Sequence, residues 1–366
     1  GNVFTYNGGN HQPVIEFNIA EAASAVDVKI LDSAKNIVRT INLTDASFLT
    51  AEDHSLTTWD WKDGAGKALS AGAYSYQVEA KRASNGTPFA GTTWMKGTTD
   101  GITKSLKLDG GAGSNILMVS DVGSTTPDTV TLTNSLITGL APVPIEYKAT
   151  GGTFAGGITI WNGYADDIIN VVSTRLETDA LVSANTITTV NSGLGDDTAN
   201  IDLKTGVDGT FVLNTQGPYD HDNSDPGRTD KDTVIASAST LSLIIFGGQG
   251  DDSITAGSGN DLIFGDRGRV VYYDDDGNEV TVLGNAGLGD KTDGLYHLGL
   301  KASSVDLNVG EIDTIVAGAG DNAVMGGFGG DTIGATGSAA SANVVLGDNG
   351  EFQYDKTGFL KLVGTT

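Results

Sequence analysis

Residues 244–266 read IIFGGQGDDSITAGSGNDLIFGD and contain two consecutive units of nine residues. The first unit, GGQGDDSIT, occupies residues 247–255, and the second, AGSGNDLIF, occupies residues 256–264. In both units a glycine-rich hexad ends in aspartate, Asp252 or Asp261, and a short apolar strand follows. Because a flexible linker would not repeat aspartate and isoleucine at a fixed offset, the stretch predicts a regular succession of turns and strands.

The residue types in these units suit a calcium ion. Glycine allows positive φ, so a glycine-rich turn can direct several backbone carbonyl oxygens toward one point. The aspartate at the sixth position adds a carboxylate there, and Ca²⁺ prefers oxygen ligands of this mixed origin. Each strand also offers one inward residue, Ile254 or Ile263, to a core. We therefore predict Ca²⁺ as the cofactor, with candidate ligands at Gly247, Gln249, Asp252, Gly257, Gly259 and Asp261.

The spacing resembles the G-G-x-G-x-D-x-U-x nonapeptide of RTX proteins, in which U is a large apolar residue. The resemblance implies a parallel β-roll in which two nonapeptides form one turn and stacked turns share ions along each edge. The unit returns downstream as AGAGDNAVM at residues 317–325 and as GGFGGDTIG at residues 326–334. These two units add candidate ligands at Asp321, Asn322, Gly326, Phe328 and Asp331.

Not every downstream unit has the full pattern. Asn322 stands where aspartate is expected, so that ion site is predicted to be weaker or differently occupied. The unit that begins at Ala335 is degenerate and is predicted to offer no carboxylate. The aspartates at the sixth position are therefore Asp252, Asp261 and Asp331, and a long row of calcium ions is not expected.

A longer repeat overlies the nonapeptides. Residues 232–234 return at 313–315, an offset of 81 residues, and Gly265 returns as Gly347, an offset of 82. Each copy then enters a predicted hairpin, whose turn lies at 276–278 in the first copy and at 356–358 in the second. We expect residues 230–366 to hold two calcium rolls, each with a projecting hairpin, joined by the less regular residues 285–310. The Gly-Asp-x-Gly turns add two candidate ligands, Asp266 and Asp348.

The first part of the chain, residues 1–122, is predicted to form an antiparallel β domain. Residues 26–31 alternate apolar and polar side chains like a half-buried strand, and residues 37–41 follow a turn as its partner. Residues 58–67 and 69–80 predict a second hairpin. A stripe of aromatic residues in this hairpin is interpreted as core and surface packing rather than as a carbohydrate site: Trp59, Trp61, Tyr74 and Tyr76.

The same region resembles the Ig-like domain of flagellar hook-capping proteins. Residues 37–40, 59–66 and 72–80 correspond to that family's "VVRT", "WDG-x-D-x-x-G" and "G-x-Y-x-x-x-V-x-A" segments, with Trp61 in place of a glycine. The resemblance implies an Ig-like β-sandwich, about residues 11–92, inserted in a small Tudor-like barrel. Its two halves would be residues 1–10 and about 93–122, strands before and after the sandwich.

Residues 123–229 have short β-branched strands that alternate with partial copies of the nonapeptide. They predict irregular parallel β-helix coils that lead into the calcium roll. Asp167 and Asp197 end two of these partial copies and are interpreted either as turn-capping residues, which we favour, or as calcium ligands. The predicted fold class is therefore all-β, with an Ig-like sandwich in a Tudor-like barrel followed by a β-helix and a calcium β-roll.

The acidic loop at residues 217–232 contains Asp220, Asp222 and Ser224 at the spacing of a calcium loop. No glycine follows at the sixth position, so a solvated loop is favoured over an ion site. His221 lies in this loop, and the remaining histidines, His11, His54 and His297, are scattered. The chain has no G-x-S-x-G, no H-E-x-x-H and no cysteine, so an enzyme within these residues is not expected.

The chain has 366 residues, with 46 acidic and 21 basic residues and a net charge of −25. This charge argues against nucleic acid and against anionic membrane surfaces as partners. No apolar run approaches the length of roughly 20 residues that a membrane span requires, so membrane insertion is not expected. Without cysteine, the chain is compatible with the cytoplasm or with an extracellular protein that metal stabilises. The chain begins at Gly1 without a signal peptide, and we expect a mature product or an excised piece.

The arrangement from Asp128 onward resembles the repeat arrays of large secreted, adhesin-like surface proteins of the RTX family. The resemblance implies secretion, extracellular calcium and folding that calcium triggers after export. The function predicted is a calcium-dependent structural or adhesive surface segment that self-associates, into a fibre or surface layer, or binds other surface molecules. The alternatives are the non-catalytic region of a secreted RTX enzyme and a protein related to flagellar hook caps.

Overall fold

A computed structural model describes most of the chain. The described residues are 3–6, 15–18, 23–32, 36–50, 53–56, 62–69, 72–82, 88–89, 98–177, 186–215, 230–284, 292, 294–295, 297–335 and 341–365. The chain folds as two compact units, Gly1–Lys96 and Gly97–Thr366. The predicted all-β class is confirmed, since the described residues form strands and one short 3₁₀ helix, Ala46–Phe48.

The first unit contains the strands β1 Val3–Tyr6, β2 Ile15–Asn18, β3 Ala23–Leu31, β4 Ile37–Leu43, β5 Asp53–Leu56, β6 Gly72–Arg82 and β7 Pro88–Phe89. The first half of the second unit contains β8 Leu106–Asp109, β9 Gly113–Ser114, β10 Leu117–Ser120, β11 Thr129–Leu132, β12 Leu136–Thr138, β13 Ile145–Lys148, β14 Gly152–Thr153, β15 Ile158–Trp161, β16 Ile168–Val171, β17 Ile187–Asn191, β18 Thr198–Ile201 and β19 Thr210–Asn214. Its second half contains β20 Thr233–Ile235, β21 Leu243–Phe246, β22 Ser253–Thr255, β23 Leu262–Phe264, β24 Gly268–Tyr273, β25 Glu279–Gly284, β26 Leu300–Ser304, β27 Thr314–Val316, β28 Ala323–Met325, β29 Thr332–Gly334, β30 Val344–Leu346, β31 Gly350–Tyr354 and β32 Leu360–Thr365.

In the first unit, an antiparallel sheet has the strand order β1-β6-β3-β4 with β7 on β6, and β2 pairs with β5. The hairpin predicted from residues 26–31 and 37–41 is confirmed, with Val28 opposite Ile41. Val28 and Ile30 are buried because the strand alternates, and Tyr76 of β6 lies in the same core. Trp59 and Trp61 lie outside the described residues.

The Tudor-like barrel predicted around this sheet is wrong for the described residues 98–122. Strand β8 pairs in parallel with β13, and β10 pairs in parallel with β15, so both belong to the second unit. The physical reason is their alternation, because β10 directs Leu117 and Val119 into the core that β15 also lines. Residues 7–10 and 93–97 lie outside the described residues.

The second unit is built on two mainly parallel sheets between which the chain alternates, and β12 is antiparallel to its neighbours β11 and β13. Sheet 1 has the strand order β10-β15-β17-β19-β21-β23-β28-β30, and sheet 2 has the order β29-β27-β22-β20-β18-β16-β11-β12-β13-β8. Their facing apolar side chains, among them Ile245, Ile254, Ile263 and Val324, form one continuous core. Both sheets continue across the predicted boundary at residue 229, so the irregular coils and the calcium roll are one solenoid over the described residues.

A third sheet, which we call the cover sheet, has the antiparallel order β25-β24-β26-β31-β32. Both predicted hairpins are confirmed as β24–β25 and β31–β32. The prediction that each hairpin projects on its own is wrong, because β26 pairs with both β24 and β31. Val270, Ala302 and Phe352 of the cover sheet pack in one buried cluster with Phe246 and Phe264 of sheet 1. The apolar side chains on the outer face of sheet 1 account for this packing.

Candidate calcium sites

One aspartate stands immediately before each of seven strands of sheet 2. In every step, the Oδ1 atom of one aspartate accepts a hydrogen bond from the backbone N–H of the preceding aspartate, at 2.7–3.0 Å. These side chains therefore form a continuous row along one edge of the solenoid. We call this row the aspartate ladder: Asp128, Asp167, Asp197, Asp232, Asp252, Asp313 and Asp331.

The second carboxylate oxygen of the ladder residues from Asp197 onward has no hydrogen-bond partner among the described residues. Burial raises the pKa of Asp197 to about 8 and that of Asp313 to about 7. The pKa of Asp232 and of Asp252 is raised well above the usual value, first by burial and then by neighbouring aspartates. Buried anionic oxygens of this kind require a cation or a proton.

Three of the unpartnered oxygens, on Asp252, Asp313 and Asp331, face turns in which a glycine leaves space that a Cβ atom would fill. A Cβ atom on Gly247 would lie 2.8 Å from Asp252 Oδ2 and 1.8 Å from the carbonyl oxygen of Gly265. A Cβ atom on Gly265 would lie 2.3 Å from Asp313 Oδ2, and one on Gly326 would lie 2.4 Å from Asp331 Oδ2. Carboxylate and carbonyl oxygens thus meet in each open space, and this donor set fits Ca²⁺.

Gly265 lines one of these open spaces, and the sequence patterns did not identify it as a candidate site residue. Residues 265–312 interrupt the motif with the cover-sheet strands, so Gly265 and Asp313 are far apart in the sequence. The available signal was its position directly after the strand residue Phe264, which matches that of Gly247 after Phe246.

Asp266 lies beside the C-terminal part of the ladder. One of its oxygens accepts a hydrogen bond from the backbone N–H of Phe328, and its Oδ1 atom has no partner among the described residues. Burial first, then the charge of Asp313, raises the pKa of Asp266 to about 8. Asp348 is close enough for its charge to raise the pKa of Asp331. A role for Asp266, Asp348, Phe328 or the half-buried Gln249 as ligands remains a prediction.

The opposite edge of the solenoid has a second, shorter row. Asp261 Oδ1 accepts from the N–H of Leu243, and Asn322 Oδ1 accepts from the N–H of Asp261, both at 2.8 Å. Asn343 Oδ1 in turn accepts from the N–H of Asn322 at 3.0 Å. The two asparagines form the hydrogen bonds of the ladder without its charge. Asp261 is the one carboxylate in this row, and burial raises its pKa to about 6.

The remaining candidate ligands on this edge lie in its turns. A Cβ atom on Gly257 would lie 2.2 Å from the carbonyl oxygen of Ser239, and one on Gly259 would lie 2.3 Å from that of Leu241. Asp321 is exposed and accepts a hydrogen bond from the N–H of Ala342 at 2.7 Å. These contacts hold successive coils together. Asp261 is the buried carboxylate on this edge that remains a candidate calcium ligand.

The aspartates at the fifth position of these units also accept hydrogen bonds along the first edge. They accept from a backbone N–H of the following coil, whereas the ladder aspartates accept from the preceding coil. Asp166 accepts from the N–H of Asp196, and Asp196 accepts from the N–H of Lys231, both at 3.0 Å. Asp251 accepts from the N–H of Ile312 at 3.1 Å. An Asp-Asp pair therefore bonds to the coils on both sides of it, a role that its sequence signal, the repeated DD, had not suggested.

Ion binding by side chains alone is not indicated among the described residues, where no three carboxylate or imidazole groups are grouped to hold a metal. Any ion at the ladder would therefore also need backbone or hydroxyl oxygens. The predicted loop ligands Asp220, Asp222 and Ser224 lie outside the described residues, as do His11 and His221.

The described part of the chain contains no helix with the length and hydropathy of a membrane span.

The two stacked sheets of the second unit fit a parallel β-roll, and the aspartate ladder along its edge is typical of the calcium-binding kind. Residues 244–271 and 310–333 match the RTX calcium-binding nonapeptide repeat family in four copies. Residues 1–84 match the FlgD Ig-like domain family. Both resemblances seen in the sequence are thus confirmed, and the chain carries calcium-binding RTX repeats after an N-terminal FlgD Ig-like domain.

Among solved structures, the chain is similar to FlgD from P. aeruginosa, with 25% identity and a TM-score of 0.19. The similarity covers 21% of this chain and 53% of that chain. The chain thus corresponds to about half the length of that FlgD. No curated protein matches the chain.

Proposed function

We propose that the chain is a calcium-dependent structural segment of an extracellular surface protein. The observation that carries the proposal is the aspartate ladder, whose buried carboxylate oxygens lack partners among the described residues. A bound cation would neutralise this edge and join successive coils into a stiff solenoid. Residues Asp252, Asp313 and Asp331, with the glycine turns opposite them, would hold the ions.

The availability of calcium supports an extracellular location. Calcium sites of extracellular modules typically have dissociation constants of about 10⁻⁴–10⁻³ M, and such sites fill outside the cell. Inside a cell the same edge would stay uncompensated, with the net charge of −25 opposing compaction. Calcium would thus restrict folding to the exterior, which is the behaviour expected of a chain that is exported unfolded.

A role in adhesion or fibre assembly is supported by the last coil. Strands β29 and β30 end sheets 2 and 1 in the described residues, and Val345 and Phe328 are exposed there. Open ends of parallel coils offer unpaired backbone groups to a further coil. We propose that a second copy of the chain stacks on this end.

Two alternatives have different supports. An RTX region of a secreted enzyme is consistent with the matched repeats, and a hook-cap-related protein is consistent with the FlgD Ig-like match. The gene that encodes the chain discriminates among the three. A very long reading frame favours the surface protein, a catalytic domain favours the enzyme, and a flagellar operon favours the hook-cap relative.

The proposal is tested by circular dichroism and sedimentation velocity of the full chain in excess calcium and in chelator. We expect the second unit to lose its β signal in chelator and to regain it when calcium is added back. We expect assemblies larger than the monomer in calcium alone. An identical spectrum and melting temperature in both conditions would refute calcium dependence, and a monomer at all concentrations would refute self-assembly.

A further inference from the structure

A turn that precedes the matched RTX repeats has the backbone of a calcium turn. Residues 192–197 read SGLGDD, and residues 247–252 in the first matched repeat read GGQGDD. Gly193 and Gly195 have φ values of 110° and 130°, in the same left-handed region as the second and fourth residues of the matched turn, at 102° and 95°. Strand β18 follows the first turn as β22 follows the second. No family match covers residues 192–197.

The two aspartates nearest to this turn occupy adjacent positions of the ladder. Thr198 pairs with Thr233 in parallel register, so Asp197 and Asp232 lie side by side. Asp232 Oδ1 accepts from the N–H of Asp197 at 2.8 Å, and Asp197 Oδ1 accepts from the N–H of Asp167 at 2.7 Å. The Oδ2 atoms of both residues have no partner among the described residues. Asp197 is 1% exposed and Asp232 is 2% exposed.

The distance between neighbouring strands suits a shared ion. Adjacent strands lie about 4.8 Å apart. Oxygen ligands lie about 2.3–2.6 Å from Ca²⁺, so two oxygens on opposite sides of one ion are about 5 Å apart. Stacked carboxylates on adjacent strands can therefore bind the same ion through their free oxygens.

A hydroxyl group and a further charge complete the surroundings. Ser192 stands where the matched repeat has Gly247, and its buried hydroxyl faces the Asp197 carboxylate closely enough to lower the pKa of that group. The hydroxyl has no hydrogen bond of normal geometry among the described residues. Asp230, whose Oδ1 atom accepts from the N–H of Gly195 at 3.0 Å, adds negative charge beside both ladder residues.

The nearby ammonium group does not neutralise this cluster. Lys231 directs its Nζ atom to the carboxylate of Asp251, on the exposed side of the turn. Burial of two unpartnered anionic oxygens is costly unless a proton or a cation neutralises them.

We propose that Asp197 and Asp232, together with the Ser192 hydroxyl, form a further divalent-cation site before the matched RTX repeats. Its ligands are hard oxygens, so calcium is the ion of choice, with backbone carbonyl groups of the turn completing the shell. The site rests on the proposed function, because Asp197 and Asp232 belong to the aspartate ladder, and it deepens that function by placing an ion outside the matched repeats. It extends cation binding into the irregular coils.

The test is calcium binding per chain, measured by equilibrium dialysis of the full protein at neutral pH. Asp197→Asn keeps the hydrogen bond to Asp167 and removes the charge, and we expect it to bind one ion fewer than the wild type. Asp196→Asn is the matched control, because Asp196 is the neighbour of Asp197 in the sequence. The Asp196 carboxylate is exposed and accepts a hydrogen bond from the backbone N–H of Lys231. The control should bind as many ions as the wild type. Equal numbers for Asp197→Asn and the wild type would overturn the site.

A second measurement covers the case in which Asp197→Asn does not fold in excess calcium. Crystals of the wild type soaked in terbium should show an anomalous peak between Asp197 and Asp232, and no peak there would overturn the site. If the wild type binds calcium while Asp197→Asn is unchanged, only this inference fails. If the wild type binds no calcium at all, the proposed function fails as well.

Discussion

Removing calcium and raising the pH should unfold the second unit, because the aspartate ladder and Asp261 on the opposite edge then hold buried charges with no counterion. In the folded chain, burial raises the pKa of Asp313 from 3.8 to about 7 and that of Asp261 from 3.8 to about 6. A folded-state pKa above the unfolded value means that the folded state binds more protons. Stability is therefore full below the unfolded pKa and is lost as the pH rises through the folded values.

The size of the effect follows from these shifts. One pKa unit corresponds to about 1.4 kcal/mol, so full ionisation costs ~4 kcal/mol at Asp313 and ~3 kcal/mol at Asp261. Protein domains are stable by only about 5–15 kcal/mol in total. Two such groups can thus account for a large part of the unfolding free energy. Calcium should remove this cost and bind more tightly as the pH rises, because it competes with protons for the same oxygens.

The assay is thermal unfolding followed by circular dichroism, in chelator and in excess calcium, across the range from about pH 5 to about pH 8. In chelator the melting temperature of the second unit should fall steadily across this range, and in calcium it should not. Asp313→Asn should flatten the dependence in chelator. Asp321→Asn makes the same change in net charge at an exposed residue and should not flatten it. Equal slopes for the two variants, or a melting temperature in chelator that rises with pH, would refute the reasoning.

Three further predictions concern single residues and the first unit. Gly265→Ala places a Cβ atom 2.2 Å from a carbonyl oxygen and should destabilise the calcium-bound roll by about 1–3 kcal/mol in urea unfolding. Gly347→Ala, where no atom lies within 4 Å, should change stability by less than about 0.5 kcal/mol, and equal effects would contradict the steric argument. Asp252→Ala should raise the calcium concentration needed for folding in a titration, whereas Asp32→Ala, in an exposed turn, should leave it unchanged; a shift in both would speak against a site at Asp252. The unit Gly1–Lys96 should keep its own calorimetric transition in chelator, because apolar side chains form its core, and loss of both transitions together would disprove this independence.

Local patterns in the sequence were sufficient to predict several strands and turns of the fold. The hairpin of β24 and β25 follows from a Gly-containing turn between alternating strands, and the buried face of β3 follows from its alternation. The nonapeptide spacing located the glycines and aspartates of residues 247–264, since turn and strand geometry both act over a few residues. Asn322 takes the place of an aspartate in the hydrogen-bonded row, and a weaker or differently occupied ion site there stays a prediction.

Other features depend on contacts between distant residues. The barrel half predicted at about residues 93–122 is wrong over the described residues 98–122, because β8 and β10 pair with strands of the next coil of the solenoid. The cover sheet requires β26, whose sequence has no strong pattern of its own, to pair with two hairpins at once. Register between strands far apart in the chain decides both outcomes, and short-range periodicity contains no information about it.

The sequence by itself determined the type of turn, the candidate oxygen ligands and the all-β class, because these depend on residue identity at short spacing. Only the tertiary structure decided that seven aspartates form one ladder. Their separations along the chain are 39, 30, 35, 20, 61 and 18 residues, so no sequence period connects them. Strand pairing brings them into line, because insertions in the turns lengthen the chain without shifting the register of the strands that follow.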